Sequence, residues 1–442
     1  MVEGMPAAVE GNELRTRQRR AWPLLLTAAI AAGALVSEVP LRDAVTRRPV
    51  PDVVLYRPFG YLLLAPVCEI LDALTLLSSR QHLALIATTA ALLVAWRLAR
   101  ARSRGSWQPG RDVAAFVAGT LGVATTYLLC VVPRPMAALR VTDPDVVVVD
   151  FHSHTNASRD ARKSFTVEHN RAWHRAAGFH AAYVTDHSSL GGATLGMAAN
   201  PSRAGDDTVL LPGMETRGNG LILLALGVTG ADAAAVGDHA KVPGRRSRVK
   251  RDHAVAIATP VDLDRPGGWA RVRAGIAVAI EVSDGSPRGL EQTRREHDGF
   301  LALARRENFA TVAGSNIHGW AQTAQAWTLL RIAGWRDLSP AGLGTRIEAL
   351  LRAERLTAAR VIERHAADPG TTLLGLALTL PAVAWHMVAT VTAMERLSFL
   401  AWIWGLAYVA RTLRRPGGQR NASRRRWSNA LASARRGALP KT

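Results

Sequence analysis

Apolar and polar positions divide this chain into regions of two different textures. Trp22–Val36, His82–Trp96, Val113–Val132 and Thr371–Thr392 are long apolar stretches without a charged residue. A helix of about 20 such residues spans a bilayer, and Pro381 within the last stretch is tolerable in a membrane helix. Arginines flank them: Arg15, Arg17, Arg19 and Arg20 precede the first, and Arg97, Arg100, Arg102 and Arg104 follow the second. Phe59–Ser78 is a weaker span, because Glu69 and Asp72 each cost about 2.5–3.5 kcal/mol at a helix centre. Leu397–Ala410 is short and aromatic, a short span or an interfacial helix. No small-x-small cleavage site follows the first stretch, so it reads as an anchor.

Between these regions the grain changes. Val146–Val149, Ala181–Val184, Thr208–Leu211, Leu221–Leu226, Ala254–Ala258, Ile276–Val282 and Ala310–Ala313 are short apolar runs of the kind that form buried strands. Val167–Ala177 is a helical stretch closed by Gly178. The pattern predicts an α/β domain over residues 139–368, between an N-terminal membrane region, 1–138, of three or four spans and a C-terminal one, 369–442, with a basic tail.

Polar residues recur just after the strands, where α/β barrels build their sites. Asp150-Phe151-His152-Ser153-His154-Thr155 follows the valine run, with two histidines at i and i+2 on one side of a strand end. The later strand ends add His187, Glu215, Asn316 and His318, and Asp160 follows the first. Imidazole plus carboxylate suits Zn²⁺, Mn²⁺ or Fe²⁺, which lower the pKa of bound water and clamp phosphoryl groups.

These residues resemble the polymerase and histidinol phosphatase (PHP) family. The resemblance runs through Asp-Phe-His-Ser-His-Thr, Ser158-x-Asp160, Thr185-Asp186-His187, Pro212-Gly213-x-Glu215 and Gly314-Ser315-Asn316-x-His318, in order over about 230 residues. It implies a distorted (β/α)7 barrel, here flanked by transmembrane helices. It also implies hydrolysis of phosphoesters by a metal-bound hydroxide. By the family's pattern His152 and His154 hold one metal, Glu215 bridges, and Asp160, His187 and His318 hold another. Asn316 stands where the family has an aspartate. Two of the family's histidines are absent, at Ile222 and at Thr259-Pro260, which implies one or two metals rather than three. The alternative is an impaired PHP-like module that binds metal or a phosphorylated ligand at the membrane.

Composition changes the picture little. The net charge is +20, carried almost wholly by arginine, as GC-rich coding produces. Cys68 and Cys130 lie in apolar stretches and make no thiolate metal motif. Arg159 and Arg162 are candidates for contact with a substrate phosphate. The run Lys241–Arg251 reads as a solvated loop, and His169, His174 and His180 as surface residues. The basic tail, 411–441, points to the cytoplasm and to anionic lipid, with no aromatic-interleaved nucleic-acid motif. The expected partners are the bilayer and a phosphorylated small molecule or nucleotide. If all six stretches span, the hydrolase domain is cytoplasmic and the arginine-rich loop 97–111 faces outward; if Phe59–Ser78 and Leu397–Ala410 do not span, fewer arginines lie outside and the domain is extracytoplasmic, the placement favoured here.

Overall fold

The computed structural model describes residues 7–104, 109–218, 221–228, 255–260, 272, 277–370 and 372–413. The basic run Lys241–Arg251, His253 and the tail beyond 413 lie outside the described residues. The chain forms two units, Gly33–Glu395 and Met1–Ala32 with Arg396–Thr442. In the second unit the described residues are helical, belonging to Ala7–Leu35 and Ala393–Leu413.

The larger unit is built on a ten-stranded sheet ordered β1-β12-β11-β4-β5-β6-β7-β8-β9-β10. The strands are β1 Leu41–Asp43, β2 Val53–Tyr56, β3 Ala138–Val141, β4 Val146–Ser153, β5 Ala181–Val184, β6 Val209–Gly218, β7 Leu221–Leu226, β8 Val255–Ala258, β9 Ala279–Asp284, β10 Ala310–Gly314, β11 Ala326–Arg331 and β12 Arg360–Arg364. The apolar runs of the sequence are β4 to β10. Val147, Val148 and Val149 have no exposed surface, as strands covered on both faces require. The segment leaving β10 returns to the exit of β4: Asn316 N donates to His152 O at 2.7 Å and His154 N to Ile317 O at 3.0 Å. The seven strands therefore curl into a barrel-like sheet whose mouth closes where β4 and β10 end.

The alternation of strand and helix is incomplete. β4–β5–β6 and β8–β9–β10 pair in parallel, but β7 runs antiparallel to both β6 and β8. Two residues join β6 to β7, a hairpin length that leaves no room for a crossover helix. Three strands outside the expected set, β11, β12 and β1, extend the sheet antiparallel beyond β4. β1 comes from the region read as membrane-embedded.

The helix Val167–Ala177 forms with the expected bounds. Gly178 closes it at φ 87°, and a Cβ there would lie 2.3 Å from Leu139 O. Phe59–Ser78 breaks into the helices Phe59–Leu63 and Ala65–Thr75. Its acids are buried and paired rather than facing lipid. Asp72 meets Arg134 Nη2 at 2.7 Å and Arg364 Nη1 at 2.6 Å, and the Tyr61 hydroxyl lies 2.8 Å from Glu69 and 2.9 Å from Asp72. Pairing removes the cost of an isolated buried charge.

Thr371–Thr392, read as a continuous span, also divides, into Leu373–Ala377 and Thr379–Thr390. The longer piece rises about 18 Å, short of the about 30 Å hydrocarbon core. Pro381 falls in its first turn, where backbone N–H groups have no intrahelical partner. Ser79–Arg104 and Pro109–Cys130 are long and apolar enough to cross a bilayer, by length and composition. Leu83, Leu92, Val113, Leu121 and Leu128 on these two helices are exposed.

One buried carboxyl beneath the sheet gives a pH prediction. Glu348, on the helix Pro340–Glu354, accepts a hydrogen bond from the Tyr183 hydroxyl at 3.3 Å. Burial pushes its carboxyl up to about 7, against the pull of Arg352. The folded protein therefore holds a proton that the unfolded chain has released between about pH 4.5 and 7. Stability from the neutral carboxyl is full below the unfolded value and is lost as pH rises through the folded one. Glu348→Gln is expected to be indistinguishable from the parent in thermal unfolding near pH 4. Above pH 7 it should be more stable, by at most about 3 kcal/mol.

Candidate metal centre

The barrel mouth collects its side chains from strand ends that lie far apart in sequence. β4 carries His152, and His154 follows it, their rings 5.0 Å apart between centroids. β6 carries Glu215, and His187 lies just past β5. His318 sits past β10, its ring stacked 4.0 Å from that of His154. β10 can pass this close only without a side chain. A Cβ on Gly314 would lie 2.1 Å from Glu281 Oε1 and 2.3 Å from His152 Cβ.

Glu215 is the hub. Its Oε2 lies 3.0 Å from His152 Nε2 and 3.4 Å from His154 Nε2, and its Oε1 lies 3.3 Å from His187 Nδ1. Asp160 closes the outer side at 3.2 Å from His187 Nε2 and 3.3 Å from His318 Nε2. Six of the seven expected metal residues thus meet: His152, His154, Asp160, His187, Glu215 and His318. Two overlapping trios, His152–His154–Glu215 and His154–His187–His318, have ligand atoms within 4.8 Å of one another.

Proton positions show what these groups offer. The Ser158 hydroxyl donates to Asp186 Oδ1 at 2.8 Å, so at 3.0 Å from His154 Nδ1 it can only accept. Neutral His154 therefore carries its proton on Nδ1 and a lone pair on Nε2. His318 Nδ1 donates to the Asn316 carbonyl at 2.9 Å and likewise leaves its lone pair on Nε2. Both Nε2 atoms are buried without a hydrogen-bond partner. A buried acceptor without a donor is costly, and a cation is what this pair fits.

Charge follows the same logic. Burial, then the neighbouring His318 and His152, holds His154 well below the ordinary histidine value. Burial also lowers His318. Both are neutral near pH 7, the form that ligates. The Glu215 hydrogen bond raises His187. Burial would raise Glu215, but the hydrogen bonds from His152 and His187 outweigh it and hold the carboxylate ionised.

A second layer was not legible as a site. Glu281 and Asp284, on β9, have no exposed surface and stand with His152 as a third trio. Glu281 Oε1 is 3.2 Å from His152 Nδ1, so the imidazole is gripped on one nitrogen by Glu281 and on the other by Glu215. Burial, with Asp284 and Asp150 beside it, pushes Glu281 up to about 8 against the charge of His152. The signal was there in Glu281-Val-Ser-Asp284, two acids ending an otherwise apolar strand. Asp150 accepts from His152 N at 3.1 Å and Ser315 N at 2.9 Å, and its Oδ2 meets His174 Nε2 at 2.7 Å. His174 is fully buried, which corrects its reading as a surface residue. His169 is exposed and His180 half-buried.

Asn316 lies against the second layer. Its side-chain amide donates to Asp284 Oδ1 at 3.1 Å, and its backbone is left-handed at φ 46°, a region asparagine tolerates. The amide nitrogen thus partners a buried carboxylate, while the amide oxygen is buried without a hydrogen-bond partner. Asn316→Asp would set two carboxylates face to face. In metal-free protein this should cost about 1–3 kcal/mol in denaturant unfolding, and saturating Mn²⁺ should recover part of it.

Ile222 and Thr259, where the PHP pattern has histidines, are neighbours: Thr259 N and Oγ1 each lie 3.3 Å from Ile222 O. The missing imidazoles thus belong to one place. Arg162 is turned from the site, its Nη1 donating to Val131 O at 3.0 Å, and Arg159 is exposed.

No family model and no curated protein matches this chain. Among solved structures it is similar to PsfC from Pseudomonas syringae at 15% identity and TM-score 0.34, over 54% of this chain and 96% of that one. An amidohydrolase from Chromobacterium violaceum with bound sulfate aligns at 16% identity and TM-score 0.27, over 38% and 87%. A two-domain protein from Bacteroides vulgatus containing a predicted PHP-like metal-dependent phosphoesterase aligns at 17% identity and TM-score 0.29, over 50% and 65%. These likenesses are distant, and the residue assignments rest on the geometry above. Fold and site together define a mixed α/β protein with a curled sheet and a buried His/Glu cluster suited to divalent metal.

Proposed function

We propose that this chain is a membrane-anchored, metal-dependent phosphoesterase with a PHP-like barrel. The observation that carries this reading is the pair of buried Nε2 atoms without a hydrogen-bond partner on neutral His154, beside the Glu215 carboxylate, and neutral His318, beside that of Asp160. His152, His154 and Glu215 would hold one ion, and His187, His318 and Asp160 a second, with Glu215 shared. Divalent ions there would supply Lewis acidity toward a phosphoryl oxygen and acidify water. The chain's own residues set the geometry. Ser158 and Asn316 fix the imidazole tautomers, Glu281 grips His152, and the packed strands keep bulk water from the inner ligands. A phosphorylated small molecule or nucleotide is the proposed substrate class, and Zn²⁺, Mn²⁺ or Fe²⁺ the metal.

The experiment is hydrolysis of p-nitrophenyl and bis-p-nitrophenyl phosphate by purified full-length protein, with Mn²⁺ or Zn²⁺ and with chelator. Metal-dependent turnover that Glu215→Gln abolishes supports the reading. Turnover without metal, or unchanged by that substitution, defeats it. Ile222 and Thr259 favour a second reading, a module that binds metal or a phosphorylated ligand without turnover. Bound metal with no hydrolysis across the panel would select it. Membrane attachment is proposed from Ser79–Arg104 and Pro109–Cys130, and alkaline extraction of membranes tests it. The extracytoplasmic placement is open to protease protection in sealed vesicles.

A further inference from the structure

Glu38, His365 and His386 meet away from the barrel mouth. Glu38 lies in the segment leading into β1, His365 just past β12, and His386 on the helix Thr379–Thr390. Backbone bonds hold the three segments together: His365 N donates to Pro40 O at 2.8 Å, and Glu38 N to Ala389 O at 2.9 Å. Glu38 Oε2 lies 3.1 Å from His365 Nδ1 and 3.6 Å from His386 Nδ1. All three ligand atoms fall within 4.8 Å of one another. The rings stand edge to face, 4.3 Å apart between centroids and tilted by 84°.

Hydrogen bonding makes this more than a surface ion pair. His386 Nε2 donates to the His365 carbonyl at 2.7 Å, so neutral His386 turns its lone pair, on Nδ1, toward the Glu38 carboxylate. His365 Nδ1 is buried and, although close to the same oxygen, makes no well-formed hydrogen bond. One carboxylate oxygen thus faces two ring nitrogens, and at least one of these contacts is acceptor against acceptor. Arg42 Nη2, 3.9 Å from Glu38 Oε2, offsets part of the carboxylate charge but makes no hydrogen bond that would separate the facing acceptors. A cavity of about 30 Å³, lined in part by His365, His386 and Thr390, adjoins the trio and has room for a bound water.

We propose that Glu38, His365 and His386 form a further divalent-metal site, independent of the barrel mouth, that staples the β1 entry, the β12 exit and the Thr379–Thr390 helix. Two imidazoles and one carboxylate are a borderline donor set that favours Zn²⁺ or Co²⁺, with one position left for water.

The test uses the full-length chain in detergent, with the barrel mouth silenced by His154→Ala and His318→Ala. Co²⁺ titration followed by visible absorption is expected to show one bound ion per chain with imidazole-ligand bands. Adding His386→Gln should weaken binding at least about 100-fold and abolish the Zn²⁺-dependent rise in melting temperature. If the silenced protein does not fold, the same substitution in the otherwise native chain should remove one ion per chain by elemental analysis. Either no Co²⁺ binding in the silenced protein or binding unaffected by His386→Gln would overturn the proposal.

Discussion

His154→Ala is expected to abolish the proposed phosphoester hydrolysis and to weaken divalent-metal binding at the barrel mouth by more than about 100-fold, beyond what loss of a supporting residue costs. His154 is shared by both trios that include it, has no exposed surface, and presents a lone pair that nothing in the protein satisfies. Its removal takes a ligand from one of the two proposed ion positions and a packed ring from beside His187 and His318 at the other. The fold should tolerate the change better than the site does. Deleting a buried ring leaves a cavity, but it also removes an unsatisfied acceptor from a crowded imidazole cluster. Isothermal titration with Mn²⁺ and Zn²⁺, beside thermal unfolding in chelator, separates the two effects. Binding should collapse while the metal-free melting temperature moves by only a few degrees.

Glu281→Gln is expected to lower metal affinity about 10–100-fold, the usual cost of removing a carboxylate behind a histidine ligand. Glu281 grips His152 Nδ1 and so directs Nε2 at Glu215. Glutamine keeps the volume and one acceptor oxygen, but it cannot ionise as a carboxyl held at about 8 would with a cation bound beyond the imidazole, and so adds no basicity to the ligand. Without metal the same substitution should stabilise the protein at alkaline pH, because it removes a carboxyl that burial holds at about 8. Opposite signs for affinity and metal-free stability, read by titration and by unfolding at pH 9, are the signature. A Glu281 that only packs would lower both.

The two layers differ in how far the sequence exposed them. Short apolar runs ending in polar residues gave β4 to β10, because a strand buried on both faces admits little else. His152, His154, His187, Glu215 and His318 were visible because they stand at or beside those ends. Glu281 and Asp284 were not, since two acids at the end of an apolar strand do not say that a histidine over a hundred residues earlier will bind one of them. His174 was hidden for the same reason: only the folded chain sets Asp150 against it. The antiparallel β7 was missed because the residues of an apolar strand do not state its direction. The apolar stretches around the domain show the converse. Phe59–Ser78 and Thr371–Thr392 are hydrophobic enough for lipid, yet the first buries its acids against arginines and the second breaks into short helices.

Occupancy of the barrel mouth is tested most directly by anomalous diffraction at the zinc edge from crystals of the full-length protein equilibrated with Zn²⁺. A peak about 2.0–2.2 Å from His154 Nε2 and from a Glu215 oxygen is the predicted result. A protein whose His154 and His318 Nε2 atoms are hydrogen-bonded to water, with no peak among His152, His154, Glu215 and His318, would contradict it.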